Sequence, residues 1–171
     1  MNPKVTLDAL NAMDRERFVD AVGWVFEHSP WVAERAWRSR PFASFEALHL
    51  AMSGTVAAAS AEEQFALIRA HPDLGARARM STASESEQAG AGLDRLSAAE
   101  FERLNRLNAA YREKFGFPFI YAVKGSGKRE IFAALEKRLA STPEAERAIA
   151  LEQIDRIAQF RLETTIACTT S

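Results

Sequence analysis

The sequence predicts an all-α fold, a single compact multi-helix domain with one irregular apolar connection near residues 117-123. Three observations carry that expectation. Apolar residues recur at helical spacing through most of the chain, as in Phe18, Val22, Val25 and Phe26 or Ile131, Leu135 and Leu139. Ser-x-x-Glu signatures, which start helices by satisfying opposite orphan amides, occur at Ser60, Ser84 and Ser97. The one stretch that reads as extended, Phe117 to Val123, is broken by Pro118 and has no partner strand elsewhere. At 171 residues and 47% hydrophobic the chain can bury one sizeable core but not two comfortable ones, so one domain over 1–171 is expected.

Taken in order, Leu7 to Leu10 reads as a short helical turn, and Asp14 opens a helix whose apolar stripe runs to Phe26. Ser29-Pro30 has the pattern of an N-cap followed by proline at the first helical position, leading Trp31 to Arg38 into a helix that stops before Pro41. Trp31 and Trp37 are expected to pack. Ser44 caps a longer helix lined by Phe45, Leu48, Met52 and Val56, with His49 beside the stripe as a satisfied core or surface histidine. Ser60 and Glu63 box the start of the next helix, which must end near Ala70 because Pro72 lacks an amide donor and restricts the residue before it. That residue is His71. Leu93 and Leu96 give the following segment an apolar side. Ser97 and Glu100 then start a long helix carrying Phe101, Leu104, Asn108, Tyr111 and Phe115, and Gly116 supplies its stop. Phe117 to Val123 would be a buried extended connection, some of whose amides have no ladder and are available to a ligand. Thr142-Pro143-Glu144 caps the last helix, which runs to about Thr164 with Ile154, Ile157 and Ala158 inward. Arg161 falls between Ile154 and Ile157 on that wheel, while Arg156 points away.

Composition excludes several classes of partner. Net charge is −1 with Lys and Arg scattered among Asp and Glu, so neither nucleic acid nor an anionic membrane surface is an expected partner. Cys168 stands alone, which rules out an internal disulfide framework and fits a reducing, cytoplasmic location. The segment from Met1 to Thr6 has no apolar core of a signal peptide, and no stretch approaches the ~18 apolar residues of a membrane span. Gly125-Ser126-Gly127-Lys128 is not a phosphate loop, because Ala122 and Arg129 stand where that pattern needs glycine and Ser or Thr.

The chemistry concentrates in His71-Pro72-Asp73-Leu74-Gly75 and the Ser84-x-x-Glu87-Gln88 that follows. His28, His49 and His71 have neither paired helical spacing nor a cysteine partner, so no metal site is expected. Cys168 has no visible activating base, and no serine sits in a G-x-S-x-G elbow. His71 can act as acid or base near neutrality, or be only a histidine favoured at a helix C-terminus. Glu87 can be the far half of a capping box, or stand beside a ligand held at a helix N-terminus. Asp73 and Gly75 can be turn residues. Arg161, pointing inward, needs a carboxylate from another helix or an anionic or carbonyl-rich ligand.

Together, His71-Pro72-Asp73-Leu74, Ser84-x-x-Glu87-Gln88-x-x-Ala91-Gly92-Leu93, Asn108-x-x-Tyr111-x-x-Lys114-Phe115-Gly116-Phe117-Pro118-Phe119-Ile120 and Arg161 resemble the OHCU decarboxylase family, from roughly Leu7 to Ile166. Those enzymes convert 2-oxo-4-hydroxy-4-carboxy-5-ureidoimidazoline (OHCU) to (S)-allantoin in urate degradation. The resemblance implies a cofactor-free, all-helical, usually homodimeric carboxy-lyase acting on a small ureidoimidazoline acid. It places the catalytic histidine on His71 and its partner carboxylate on Glu87. Pro72, Ser84, Gln88, Arg161 and the backbone of Phe119, Ile120, Tyr121, Ala122 and Val123 would surround the substrate. Between Leu74 and Ser84 the chain is shorter than the family pattern and lacks a Gly-Glu-Leu-like insert. No attached transthyretin-like domain is expected, and Cys168-Thr169-Thr170-Ser171 does not have the pattern of a peroxisomal signal. A ureide-ring hydrolase and a non-catalytic helical ligand-binding domain are the competing classes.

Overall fold

The computed structural model describes residues 4–76 and 81–167. Among them are nine α-helices and two short 3-10 turns, and the β pairing is an isolated parallel bridge between Val5 and Ile166. The all-α expectation therefore holds. Packing divides the chain into two compact units, residues 1–67 with 155–171, and residues 68–154. Cys168 lies outside the described residues, as does the 77–80 part of the shortened connection.

In the first unit, α1 (Leu7–Ala12) and α2 (Arg15–Val22) begin where Thr6 and Asp14 accept from the amides of Ala9 and Arg17 at 3.1 and 2.9 Å. A 3-10 turn, Gly23–Val25, carries the stripe onward, and Phe18, Val22, Val25 and Phe26 are all buried. Helix α3 (Trp31–Ala36) corrects one expectation: Pro30, already helical at φ −62° and ψ −19°, occupies the cap position. Ser29 offers its backbone carbonyl to Val32 N (3.2 Å), so the turn closes through the main chain, and the hydroxyl donates to Glu27 O instead. Trp31 and Trp37 are half-buried, each under an arginine, with Arg35 and Arg40 lying 4.6 and 4.1 Å from the ring centres. Ser44 starts α4 (Phe45–Ala57) as expected, accepting from Ala47 N at 3.1 Å, and Leu48, Met52 and Val56 face the core. Asn11 fastens the preceding loop by exchanging two hydrogen bonds with the backbone of Phe42, at 2.9 and 2.8 Å.

The start of α5 (Ala61–Arg69) is the expected box, Ser60 and Glu63 satisfying each other's amides at 3.1 and 3.2 Å. In the second unit follow α6 (Thr82–Gly90), α7 (Ala98–Phe115), α8 (Lys128–Leu139) and the part of α9 (Pro143–Thr165) up to Ile154. Ser97 and Glu100 box α7, and Gly116 ends it at φ 78°, a left-handed conformation that glycine adopts without strain. The core here is aromatic: Tyr111 packs against Phe115, Phe117 and Phe119 with ring centres 4.5, 6.0 and 5.4 Å away. Burying each of these rings contributes about 1.5–3 kcal/mol. Residues Phe117 to Val123 form the expected irregular connection, buried except at Tyr121. Among the described residues, no helix is long and apolar enough to cross a membrane.

Candidate active site

Pro72 ends α5 on schedule. His71 closes the last turn through its amide to Ile68 O (3.2 Å), and the residue is 6% exposed. Three of the four residues after it, Asp73, Leu74 and Gly75, are anchored in succession. Arg112 Nη2 meets Asp73 Oδ1 at 2.9 Å, Asn108 Nδ2 donates to Leu74 O at 2.9 Å, and Gly75 N donates to Gln88 Oε1 at 2.7 Å. Gly75 has φ +70°, a conformation that calls for glycine, and a Cβ there would lie 2.5 Å from Leu104 Cδ2, so the Leu104 side chain would have to shift.

The Gly75–Gln88 bond joins the His71 segment to α6. The expected capping box at Ser84 is not formed: the cap is Ser81, whose hydroxyl accepts from Ser84 N at 3.2 Å, one turn earlier. Ser84 therefore sits inside the helix, and Ser84, Glu87 and Gln88 fall on one face at i, i+3 and i+4. Ser84 and Gln88 are each 5% exposed and Glu87 is half-buried. With Ser81 closing the helix start, Glu87 lies beyond the first turn of α6.

The 117–123 connection is held from behind. Arg138 Nη1 donates to Ile120 O at 2.6 Å, and Ala122 N donates to Gln153 Oε1 at 2.9 Å. The amides of Phe119, Ile120, Tyr121 and Val123 find no partner among the described residues. Arg138 is itself fixed by Glu146, fully buried, at 2.8 Å, and Glu146 also receives the Tyr111 hydroxyl. Burial pushes the Tyr111 phenol up, and its hydrogen bond to Glu146 adds to the shift.

Arg161 belongs to the first unit, where it is buried as its helical wheel position predicts. Its Nη1 lies 3.0 Å from Glu27 Oε2 and 3.3 Å from Val25 O, with the two side chains 3% and 0% exposed. The carboxylate required of an inward arginine is thus Glu27, which lies in the turn after the Gly23–Val25 segment rather than on another helix and which sequence reasoning had not singled out. His49 is satisfied, as expected, by Asp155 at 2.9 Å. Ser53 donates to the same Asp155 oxygen, so serine and histidine both point at the carboxylate and no nucleophile–base pair exists there. Among the described residues no group of three or more His, Cys, Asp or Glu side chains could hold a metal ion.

Arg138, Glu146 and Gln153 were also not singled out, although a signal existed. Glu146 and Gln153 share the inward stripe of α9 with Ala150, Ile154 and Arg161, and polar residues on a buried stripe need partners.

Comparison with known proteins bears on this arrangement. A profile described as OHCU decarboxylase matches residues 11–163. A 2-oxo-4-hydroxy-4-carboxy-5-ureidoimidazoline decarboxylase of Haloferax volcanii is 50% identical over 93% of this chain and 95% of its own length. A uric acid degradation bifunctional protein of Bacillus subtilis is 49% identical over 92% of this chain but only 32% of its own. Among solved structures, an (S)-allantoin synthase superposes with a TM-score of 0.76 at 35% identity, covering 95% of this chain and 54% of that one. An OHCU decarboxylase crystallised in the presence of (S)-allantoin gives 0.68 at 26% identity, covering 89% of this chain and 97% of that one.

Proposed function

The chain belongs to the OHCU decarboxylase family, and we propose that it decarboxylates OHCU to (S)-allantoin in urate degradation, without a cofactor. The observation that carries this reading is the 2.7 Å bond from Gly75 N to Gln88 Oε1, which ties the segment bearing His71 to the helix face bearing Ser84 and Glu87. An imidazole, a carboxylate, an amide and a hydroxyl are thereby held on two fastened pieces of one unit.

The substrate carries a carboxylate on a ring carbon that also bears a hydroxyl. Breaking the carbon–carboxylate bond releases carbon dioxide and leaves its electron pair on that carbon, from which it delocalises into the conjugated ring; a proton then replaces the lost carboxylate. His71 would hydrogen-bond the hydroxyl and carboxylate region and orient the scissile bond. Glu87 accepts from ureido or ring N–H groups, with the Gln88 amide and Ser84 hydroxyl beside it and Pro72 shaping the wall. Backbone amides of the stretch Phe119, Ile120, Tyr121, Ala122 and Val123 would stabilise the ring oxygen where charge accumulates. Of these, the Ala122 amide is already given to Gln153, so the others are the donors in this reading. Protonation on one face fixes the (S) product. The resemblance also assigns Arg161 to substrate binding. We further expect one domain over 1–171, a homodimer and a cytoplasmic location.

The test is circular dichroism at the allantoin band while urate is oxidised in the same cuvette. Accelerated appearance of the (S) enantiomer with release of carbon dioxide is expected. Decay at the spontaneous rate to a racemate would mean a binding domain, and turnover without carbon dioxide would mean a hydrolase.

A further inference from the structure

Two side chains hold the peptide groups on either side of Tyr121. In a trans peptide the C=O and the following N–H lie in one plane and point in opposite directions. Arg138 Nη1 holds the carbonyl of Ile120 at 2.6 Å, so the N–H of Tyr121 is directed to the opposite side of the chain. Gln153 Oε1 holds the N–H of Ala122 at 2.9 Å, so the carbonyl of Tyr121 is directed away from Gln153. With both flanking planes pinned, neither backbone dihedral of Tyr121 is left to adjust.

The holder is itself over-determined. Arg138 spends its Nε on the buried Glu146 at 2.8 Å and lays its guanidinium 4.4 Å from the Phe119 ring centre, while Glu146 also receives the Tyr111 hydroxyl. A salt bridge alone would need only one edge of the guanidinium. The fork serves carboxylate and peptide carbonyl together, which a lysine ammonium at the end of a flexible stem cannot reproduce. The N–H so oriented has no partner among the described residues, although its neighbours Ile120 and Ala122 are 2% and 6% exposed. Backbone donors in such surroundings are ordinarily paired.

We propose that Arg138 and Gln153 are positioning residues that fix the peptide planes flanking Tyr121 and present its amide to the substrate oxygen on which charge gathers during decarboxylation. The inference rests on the decarboxylase reading. A preorganised donor costs no reorganisation at the moment of reaction, and its value appears in the transition state rather than in substrate binding.

The experiment measures kcat, KM and thermal melting for the wild type, Gln153→Ala, Gln153→Glu and Arg138→Lys. Gln153→Ala and Arg138→Lys should lower kcat about 10- to 100-fold, the scale of losing alignment, with KM changed less than about threefold. Gln153→Glu keeps an acceptor for the Ala122 amide and should recover most of the kcat lost in Gln153→Ala. Gln153→Ala leaves the buried Arg138–Glu146 pair untouched, so it serves even where Arg138→Lys fails to fold. If Gln153→Ala is folded and lowers only the melting temperature while kcat matches an active wild type, the proposal is overturned alone. An inactive wild type would overturn the decarboxylase reading, and this proposal with it.

Discussion

Glu27→Leu is the perturbation that weighs the two readings of Arg161 against each other. The Glu27 side chain is completely buried, that of Arg161 is 3% exposed, and their charged atoms stand 3.0 Å apart. Removing the carboxylate takes its charged partner from a guanidinium buried in the interior, where the Val25 carbonyl, 3.3 Å away, is among its neutral acceptors. Breaking a buried pair from one side costs about 3–5 kcal/mol, because the surviving charge keeps its desolvation penalty. For a chain of this length each kcal/mol moves the melting temperature by about 2–4 °C, so a drop of roughly 6–20 °C is expected. Arg161→Met should fall by a similar amount. The double variant Glu27→Leu/Arg161→Met removes both charges and should recover much of that loss, giving a coupling of roughly 2 kcal/mol or more in the cycle. Thermal melts read the stability side, and the KM for OHCU in the double variant reads the functional side. If Arg161 also holds substrate, the double variant regains its fold but not its KM; an unchanged KM leaves the arginine as an ion pair alone. A Glu27→Leu shift below about 2 °C, or strict additivity in the cycle, would refute the buried-pair reasoning.

Three further outcomes are expected. His71→Ala and Glu87→Gln should each abolish turnover while the helical circular dichroism signal stays intact, and stereospecific activity retained in either would count against its assignment. The hydrogen bond to Asp155 raises the His49 pKa above 6.5; burial alone would raise the Asp155 carboxyl, but the bonds from His49 and Ser53 outweigh it and hold the group below 3.8. The imidazole contribution is therefore full below pH 6.5 and lost as pH rises through its folded value, while the carboxylate contribution is full above pH 3.8 and lost as pH falls through its own. Melts of wild type against Asp155→Asn should differ most between those limits, by under about 1 kcal/mol for this half-exposed pair, and a difference that grows toward pH 9 would contradict the assignment. Gly75→Ala should cost about 2–4 kcal/mol, from left-handed backbone and the contact with Leu104 together, and loosen the Gln88 anchor; a thermal melt within about 1 kcal/mol of wild type would show that the loop can yield.

The helices were legible because their signals are local. Capping residues at Asp14, Ser44, Ser60, Ser97 and Thr142 act within one turn, and each accepts the amide expected of it. The two corrections arise where local signals compete. At Ser29 the hydroxyl found a carbonyl two residues back while the main chain closed the turn, and at α6 two serines stood three residues apart, each able to cap. Ser81 prevails by lying one turn earlier, which places Ser84 inside the helix instead of at its start. The sequence pattern alone could not choose between them.

The site was legible as a set of residue types and much less so as a set of partners. Helical spacing marked Arg161 as buried, and a buried guanidinium implies a buried carboxylate, but nothing in the spacing of α9 points to Glu27, which is distant in sequence. The same stripe bears Glu146 and Gln153, and the logic applied to Arg161 applies equally to them: a polar group on a buried face must be matched by a second one elsewhere. For Glu146 the match is Arg138, and for Gln153 it is a main-chain amide, which leaves no trace in side-chain identity. Polar residues that interrupt an apolar helical stripe are therefore the sequence feature from which the supports of this site can be found. Gln153 directly, and Glu146 through Arg138, grip the irregular 117–123 connection, whose backbone groups have no regular ladder and are held one at a time.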